Sequence, residues 1–404
     1  MDTLYIGIDW SEAKDDVCIV NNAGAILKEF KIAPTPKGQA DLEQEIKSFG
    51  MAADHCLVGL ETSNNLVMDF LESRPYQSYV IAPNQVASSR GRFSSSGRRN
   101  DRSDAHLLAD MLRTDHHRFT PWQADGVTVN QMKAGLRLID DLTQSITRYN
   151  NRLRAALLRA YPLALGLFND LTTQIGLQFL IEYPLQTAAQ QLTYADFAAF
   201  CRQHGYSHPK MIPQRYAHLQ RDVAQPATTT ILAYQEQIPI LATLLLSFVV
   251  QKQQTKRRLQ QLFATHPDQH IFASLPGAGD LLAPKLLVMF GDHRQRFPQP
   301  AAIQALAGTC PVTSQSGKKK VIKFRRACNH EYRQTAQLFA IASVPQSTWA
   351  ATYFSLAKAR GLADSHAYRC LANRWLAIIW TLWQREQPYD ETYHLEQVRR
   401  HRHP

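Results

Sequence analysis

LYIGIDWSEAKDDVCIV, residues 4–20, is the stretch on which the reading of this chain turns. Leu4 to Ile8 is a short, mostly apolar run with an isoleucine on either side of Gly7, the pattern of a central strand. It ends on Asp9, and a carboxylate set into a buried strand needs a counter-charge or a metal ion. Val17–Val20, the turn residues Asn21-Asn22-Ala23-Gly24, and Ile26–Ile32 predict two further strands joined by a turn. Asp15 and Asp16 are expected as exposed hairpin residues, with Asp15 within reach of the site. The pattern describes a mixed α/β unit with an acidic residue at its centre.

Beyond the hairpin, the spacing predicts a helix over 37–48 and a buried strand over Cys56–Leu60 that ends on Glu61. Thr62-Ser63-Asn64 offers capping oxygens for a helix through Leu66, Phe70 and Leu71. Ser78–Ile81 is a further strand, stopped by Pro83. Residues 84–100 are rich in Ser, Arg and Gly and are expected to form a loop. Asp101–Asp115 reads as a helix with Ala105, Leu108, Met111 and Leu112 on its buried face. Asp101 and Asp104 are three apart at its start, so both carboxylates face one way. By themselves they would be solvated first-turn residues favoured by the helix dipole. Together with Asp9 and Glu61, beside an arginine-rich segment, they are candidate metal ligands: Mg²⁺ takes oxygen donors, and phosphodiester chemistry uses such ions.

The chain of 404 residues has room for two or three domains, and its 45% hydrophobic content is ordinary for a soluble protein. Its net charge of +11, from 45 Lys and Arg against 34 Asp and Glu, favours a polyanionic partner. Arg90, Arg92, Arg98, Arg99 and Arg102 form one basic cluster; Lys318, Lys319, Lys320, Lys323, Arg325 and Arg326 form another. The cysteines at 18, 56, 201, 310, 328 and 370 lack C-x-x-C spacing, which suggests a reducing compartment and no zinc site. The apolar run Ile238–Val250, interrupted by Pro239 and Ser247, is too short to span a bilayer, and no secretory signal is visible. A cytoplasmic, nucleoid-associated protein with no membrane partner is expected.

Thr128–Tyr161 and roughly Thr229–Ala264, the latter kinked at Pro239, read as long helical arms. Their spacing suits a coiled-coil interface between subunits or an antiparallel pair within one. The boundaries expected are 1–125 for the acidic α/β domain, 126–265 for the arms, 266–395 for a mainly helical C-terminal domain, and 396–404 for a disordered tail. The C-terminal domain opens on Leu275-Pro276-Gly277-Ala278-Gly279. That turn is either a helix-hairpin-helix contact, with Gly277 and Gly279 presenting backbone N–H groups to a phosphate, or a tight turn that needs glycine dihedrals. Ile303–Ala307, a loop over 308–325, and helices near 331–343 and 363–384 complete it.

The opening meander resembles that of nuclease folds related to ribonuclease H. More specifically, the chain resembles the IS110/IS1111-type transposases, on Gly7-Ile8-Asp9-Trp10-Ser11 with Lys14, Glu61-Thr62-Ser63, Asn100-Asp101-Arg102-Ser103-Asp104-Ala105, Leu275 to Gly279, and Gly308 through Pro311 to Gln315-Ser316-Gly317. Thr309-Cys310 departs from the small or aliphatic residues more usual there. The resemblance implies a RuvC-like N-terminal domain with an Asp-Glu-Asp-Asp set, carried over to Asp9, Glu61, Asp101 and Asp104, holding Mg²⁺ with Mn²⁺ able to substitute. It implies a serine nucleophile at Ser316, with Ser314 the neighbour to consider. Lys318, Lys319, Lys320, Lys323 and Arg325 would draw in phosphate there. It also implies donor and target double-stranded DNA, an element-encoded guide (bridge) RNA, and a homodimer assembling to a tetramer. The function expected is RNA-guided cleavage and rejoining of DNA. The alternatives are a RuvC-like metal-dependent endonuclease or resolvase that uses water, and a non-catalytic nucleic-acid-binding scaffold.

Overall fold

The computed structural model describes residues 3–92, 101–223, 226–317 and 319–400. The first strands are β1 (Leu4–Asp9), β2 (Asp15–Val20) and β3 (Ile26–Ile32), followed by α1 (Pro36–Lys47), β4 (Cys56–Leu60), α2 (Leu66–Glu72) and β5 (Gln77–Val80). They form a five-stranded sheet in the order β3-β2-β1-β4-β5. The β1–β2 and β2–β3 pairs are antiparallel, whereas β1–β4 and β4–β5 are parallel. Alternation along β1 sends Leu4, Ile6 and Ile8 into one core with α1 and α2, and Tyr5 into the other. Thr35 caps α1, and Asn65, rather than the preceding Thr-Ser-Asn, caps α2 by accepting from the Met68 N–H at 2.8 Å.

Part of the expected 84–100 loop is helical: α3 spans Pro83–Ser89, and Arg90–Arg92 adds a 3₁₀ turn. Pro83 at the first helical position and the buried Val86 account for it. α4 (Asp101–Asp115) covers the second face of the sheet, burying Ala105, Leu108, Met111 and Leu112.

The chain then runs through α5 (Val127–Ala160), α6 (Gln174–Glu182), α7 (Gln186–Gln190), α8 (Tyr194–Gln203), α9 (Ile212–Leu219), α10 (Thr228–Tyr234) and α11 (Gln237–Ala264). The second arm is broken between Tyr234 and Gln237, and Pro239 sits in the first turn of α11, where its missing N–H costs nothing. The arms pair antiparallel within this one chain. Tyr149 meets Phe248 with ring centroids 5.4 Å apart, and Gly135 lies beside Thr255. Leu153, Leu157, Ile238, Leu241 and Leu245 share a core with aromatic residues of α6 and α8. Thr228–Ala264, interrupted after Tyr234, reaches the length and apolarity of a membrane span by composition only, as the core helix of a soluble protein does, and its Ile238, Leu241 and Leu245 lie in this core.

α12 (Gln269–Ala273), α13 (Gly279–Phe290) and α14 (Pro300–Leu306) follow. The expected loop over 308–325 contains an antiparallel hairpin, β6 (Val312–Ser316) with β7 (Lys319–Lys323). Helices α15 (His330–Ser343), α16 (Thr348–Ala359), α17 (Asp364–Arg385) and α18 (Glu391–Arg400) end the described chain, so helix continues to Arg400 where a tail was expected from 396.

By contact the chain divides into two units: 1–126 with 292–333, and 127–291 with 334–404. The first is stitched at its chain break. The buried Asp125 carboxylate accepts from the Asp292 N–H at 3.0 Å and lies 2.8 Å from the Arg296 guanidinium. In the second, Trp375 and Trp383 are fully buried, and the Trp375 indole donates to the Ser343 hydroxyl at 2.9 Å.

Candidate active site

Asp9 leaves β1 on the face covered by α4, and Gly7 is what lets that helix come close. A Cβ at Gly7 would stand 1.9 Å from the Ala105 carbonyl oxygen and 2.6 Å from the Ala109 nitrogen. Tyr5, two residues before Gly7, lies beside His116 at the far end of the helix, with ring centroids 6.1 Å apart. Asp9, two residues after Gly7, therefore meets the first turn of α4, which carries Asp101 and Asp104. Ile8 is level with Leu60 across the parallel β1–β4 pair, so Asp9 and Glu61 leave adjacent strands at one height. Two strand ends and one helix start thus converge.

The electrostatics follow from that convergence. Burial pushes the Asp9 carboxyl up to about 7, reinforced by the negative charges of Asp104, Glu61, Asp101 and Asp16. Asp9 therefore holds a proton close to neutral pH. Asp104 is gripped by Arg90, whose guanidinium donates from Nε to Oδ1 at 3.2 Å and from Nη2 to Oδ2 at 2.9 Å. That fork, together with the charges of Glu61 and Asp9, raises the Arg90 pKa further.

Asp15 and Asp16 are not the exposed hairpin residues expected. β2 begins at Asp15 and lies between β1 and β3, which buries both side chains. Asp15 accepts the Ser11 N–H at 3.1 Å, and burial raises its pKa. Asp16 lies directly across from Asp9 and is paired with Lys31 at 3.0 Å. Sequence reading missed Asp16 as a neighbour of the site; the signal was the Asp-Asp pair at the head of an apolar strand.

The expected magnesium shell is not assembled in this arrangement. Among the described residues, no group of three or more His, Cys, Asp or Glu side chains could hold a metal ion. The acids collect around Asp9 without closing, since they repel one another and Arg90 takes both oxygens of Asp104. In chemistry the donors fit a hard cation, being all oxygen, and a cation would offset the neighbouring negative charges that add to burial in raising the Asp9 pKa.

Two of the residues expected to touch nucleic acid, Arg90 and Arg102, are engaged within the protein. Arg102 donates from Nε to Glu29 at 2.7 Å. Arg98, Arg99 and Lys318, and the side chains of Arg92, Ser316 and Lys319, lie outside the described residues. The Ser316 backbone ends β6 opposite Lys319, with Gln315 opposite Lys320 and Val312 opposite Lys323, and Lys320 and Lys323 are exposed. Arg325 accepts at its carbonyl from Arg333, whose guanidinium lies 4.5 Å from the Phe324 ring centre. Gly277 has φ +80°, and a Cβ there would lie 2.2 Å from the Ala342 carbonyl oxygen. Close packing against α15 thus accounts for this glycine without a phosphate contact, whereas Gly279 begins α13 beside open space.

A mixed sheet with helices on its faces and acids gathered at the ends of β1 and β4 is a RuvC-like arrangement. Residues 6–162 match the DEDD-type IS110 transposase model, and residues 269–355 match the model described as Transposase IS116/IS110/IS902 family. The chain belongs to this family of IS110-type transposases. It is 28% identical over 396 residues to the mini-circle transposase candidate for IS117 of Streptomyces coelicolor, covering 96% of both chains. It is also 22% identical over 394 residues to the uncharacterized 42 kDa protein of insertion element IS900 from Mycobacterium paratuberculosis, covering 94% of this chain and 95% of that one. The uncharacterized 43.6 kDa protein of insertion element IS110 from S. coelicolor is 23% identical over 291 residues, 70% of each chain.

Proposed function

We propose that this chain cuts DNA for a mobile insertion element at its acidic centre, as a RuvC-like, metal-dependent nuclease that uses water. The observation that carries this reading is the gathering of Asp104, Glu61 and Asp101 around the half-buried Asp9, whose carboxyl is raised to about 7 by burial first and by their charges in addition. Such crowding is costly in a resting protein, and a divalent cation relieves it. Asp9, Glu61, Asp101 and Asp104 would hold Mg²⁺, or Mn²⁺ in its place. The ion would supply activation of water and stabilisation of charge on the phosphate.

The chain's own groups do the rest. The ends of β1 and β4 fix Asp9 and Glu61 on rigid backbone, and the first turn of α4 fixes Asp101 and Asp104. Without the ion Asp9 keeps its proton near neutral pH, and taking up the cation would release it. The exposed Lys320 and Lys323 and the arginines that surround α3 and α4 in sequence would hold the strand by its phosphates.

A second reading gives Ser316 the role of nucleophile. It is favoured by the place of Ser316 at the end of a hairpin strand whose Val312–Gln315 are exposed and whose second strand bears lysines. Its Oγ would form the bond to phosphorus as a DNA P–O bond breaks and a deoxyribose hydroxyl leaves. The hydroxyl proton would pass to a base, and the bond energy would be kept for rejoining. Under this reading a structured guide RNA from the element selects donor and target DNA. Dimers pair into a tetramer, acids and serine come from different subunits, and the work takes place in the bacterial cytoplasm at the nucleoid. The two readings separate in one experiment, in which protein, RNA transcript and end-labelled donor and target DNA are incubated in Mg²⁺ and denatured. Free cut strands with no protein-linked label mark the water reaction. A protein-linked label lost in Ser316→Ala marks the serine reaction. Cleavage that survives Asp9→Asn would overturn the acidic centre in either form.

A further inference from the structure

The acidic centre carries a cation of its own. Arg90 reaches from the turn after α3 to α4 and presents both arms of its fork to Asp104, with Glu61 and Asp9 close enough to act on its charge. Among the described residues, Lys31 pairs with Asp16 and Arg102 with Glu29. Asp104 is also mostly buried, its side chain 15% exposed, so its pairing with Arg90 is not a loose surface contact. We propose that Arg90 is an internal counter-cation that neutralises the carboxylate cluster at rest and must let go of Asp104 before a divalent ion can be held there.

This inference rests on the reading of the acids as a metal centre and adds an ordering to it. An Arg fork matches a phosphate as well as it matches a carboxylate. A phosphodiester strand arriving at the site offers Arg90 an alternative partner of the same geometry. Accepting it frees Asp104, so strand binding and metal binding favour each other. By linkage the coupling is reciprocal: DNA tightens the ion, and the ion tightens DNA. The arrangement keeps the cutter unloaded until a strand is present.

The test is Mn²⁺ binding without nucleic acid, read by calorimetry and by the paramagnetic resonance of free ion. It uses the full-length wild type, Arg90→Gln, Arg90→Lys and Asp9→Asn, each checked for fold by circular dichroism. Arg90→Gln is expected to bind Mn²⁺ about tenfold more tightly than wild type, with Arg90→Lys between them, because Lys keeps the charge but loses the fork. In EDTA, Arg90→Gln is expected to melt at a lower temperature than wild type and to recover when Mn²⁺ is added. Equal or weaker Mn²⁺ binding by Arg90→Gln, while Asp9→Asn abolishes it, overturns the counter-cation and leaves the metal centre standing. No Asp9-dependent Mn²⁺ binding in any of the proteins overturns both.

Discussion

Replacing Asp9 by Asn should stabilise the protein in EDTA while removing a group needed for its chemistry. The folded state holds the Asp9 carboxyl at about 7 against an ordinary value of 3.8, through burial and through Asp104, Glu61, Asp101 and Asp16. Below the ordinary value the group is protonated whether folded or not, and contributes no difference. As pH rises toward the folded value, the unfolded chain releases the proton while the native one retains it, so wild type loses stability across that window and then levels off. A shift of that size is worth about 4 kcal/mol if realised in full. The carboxyl is partly open to water, and screening reduces the expectation to about 2 kcal/mol. Asparagine is nearly isosteric and cannot ionise. Urea unfolding of both proteins in EDTA should therefore show Asp9→Asn about 2 kcal/mol more stable at pH 8, with the gap closing near pH 4. Saturating Mn²⁺ should stabilise wild type alone and shrink the gap at pH 8. A variant that is less stable than wild type at pH 8, or a gap that does not change with pH, would refute the crowding argument.

Other perturbations probe the scaffold. Gly7→Ala drives a methyl into the Ala105 carbonyl at 1.9 Å, and should cost about 3 kcal/mol or more, or prevent folding, as read by soluble yield and thermal melting. Asp125→Ala strips the buried acceptor from the Asp292 N–H and Arg296, and should cost about 2–3 kcal/mol by urea titration. Glu391 accepts from the Ser347 hydroxyl, the Trp349 N–H and the Tyr389 hydroxyl, all within 3.1 Å. Glu391→Ala should cost about 2 kcal/mol and alter the fluorescence of Trp349, without changing Asp9-dependent Mn²⁺ binding.

Much of the N-terminal fold was legible because its signals are local. The apolar run Leu4–Ile8 closed by Asp9, the Asn-Asn-Ala-Gly turn and the apolar stripe of α4 each act within a few residues. The acids stood out because each sits where an apolar element begins or ends. What escaped depends on distant neighbours. Asp15 and Asp16 look solvated in sequence, and only the placement of β2 between β1 and β3 buries them. The β6–β7 hairpin is exposed and lysine-rich, so it lacks the alternation of a half-buried strand. Arg90 read as a phosphate contact because its cluster was basic, and its grip on Asp104 reaches 14 positions along the chain. Glycine in Pro276-Gly277 suits a phosphate turn and a close helix contact alike, and only the second is visible in the fold, where the Ala342 carbonyl leaves no room for a Cβ.

The most direct test is strand scission of labelled DNA by the full-length protein with its RNA transcript, titrated with Mg²⁺, comparing wild type with Asp9→Asn and Asp104→Asn. Cutting that requires the divalent ion and falls by at least about a thousandfold in both variants is the expected result. Cutting that persists in EDTA, or that either variant performs as well as wild type, would contradict an acidic centre as the seat of the chemistry.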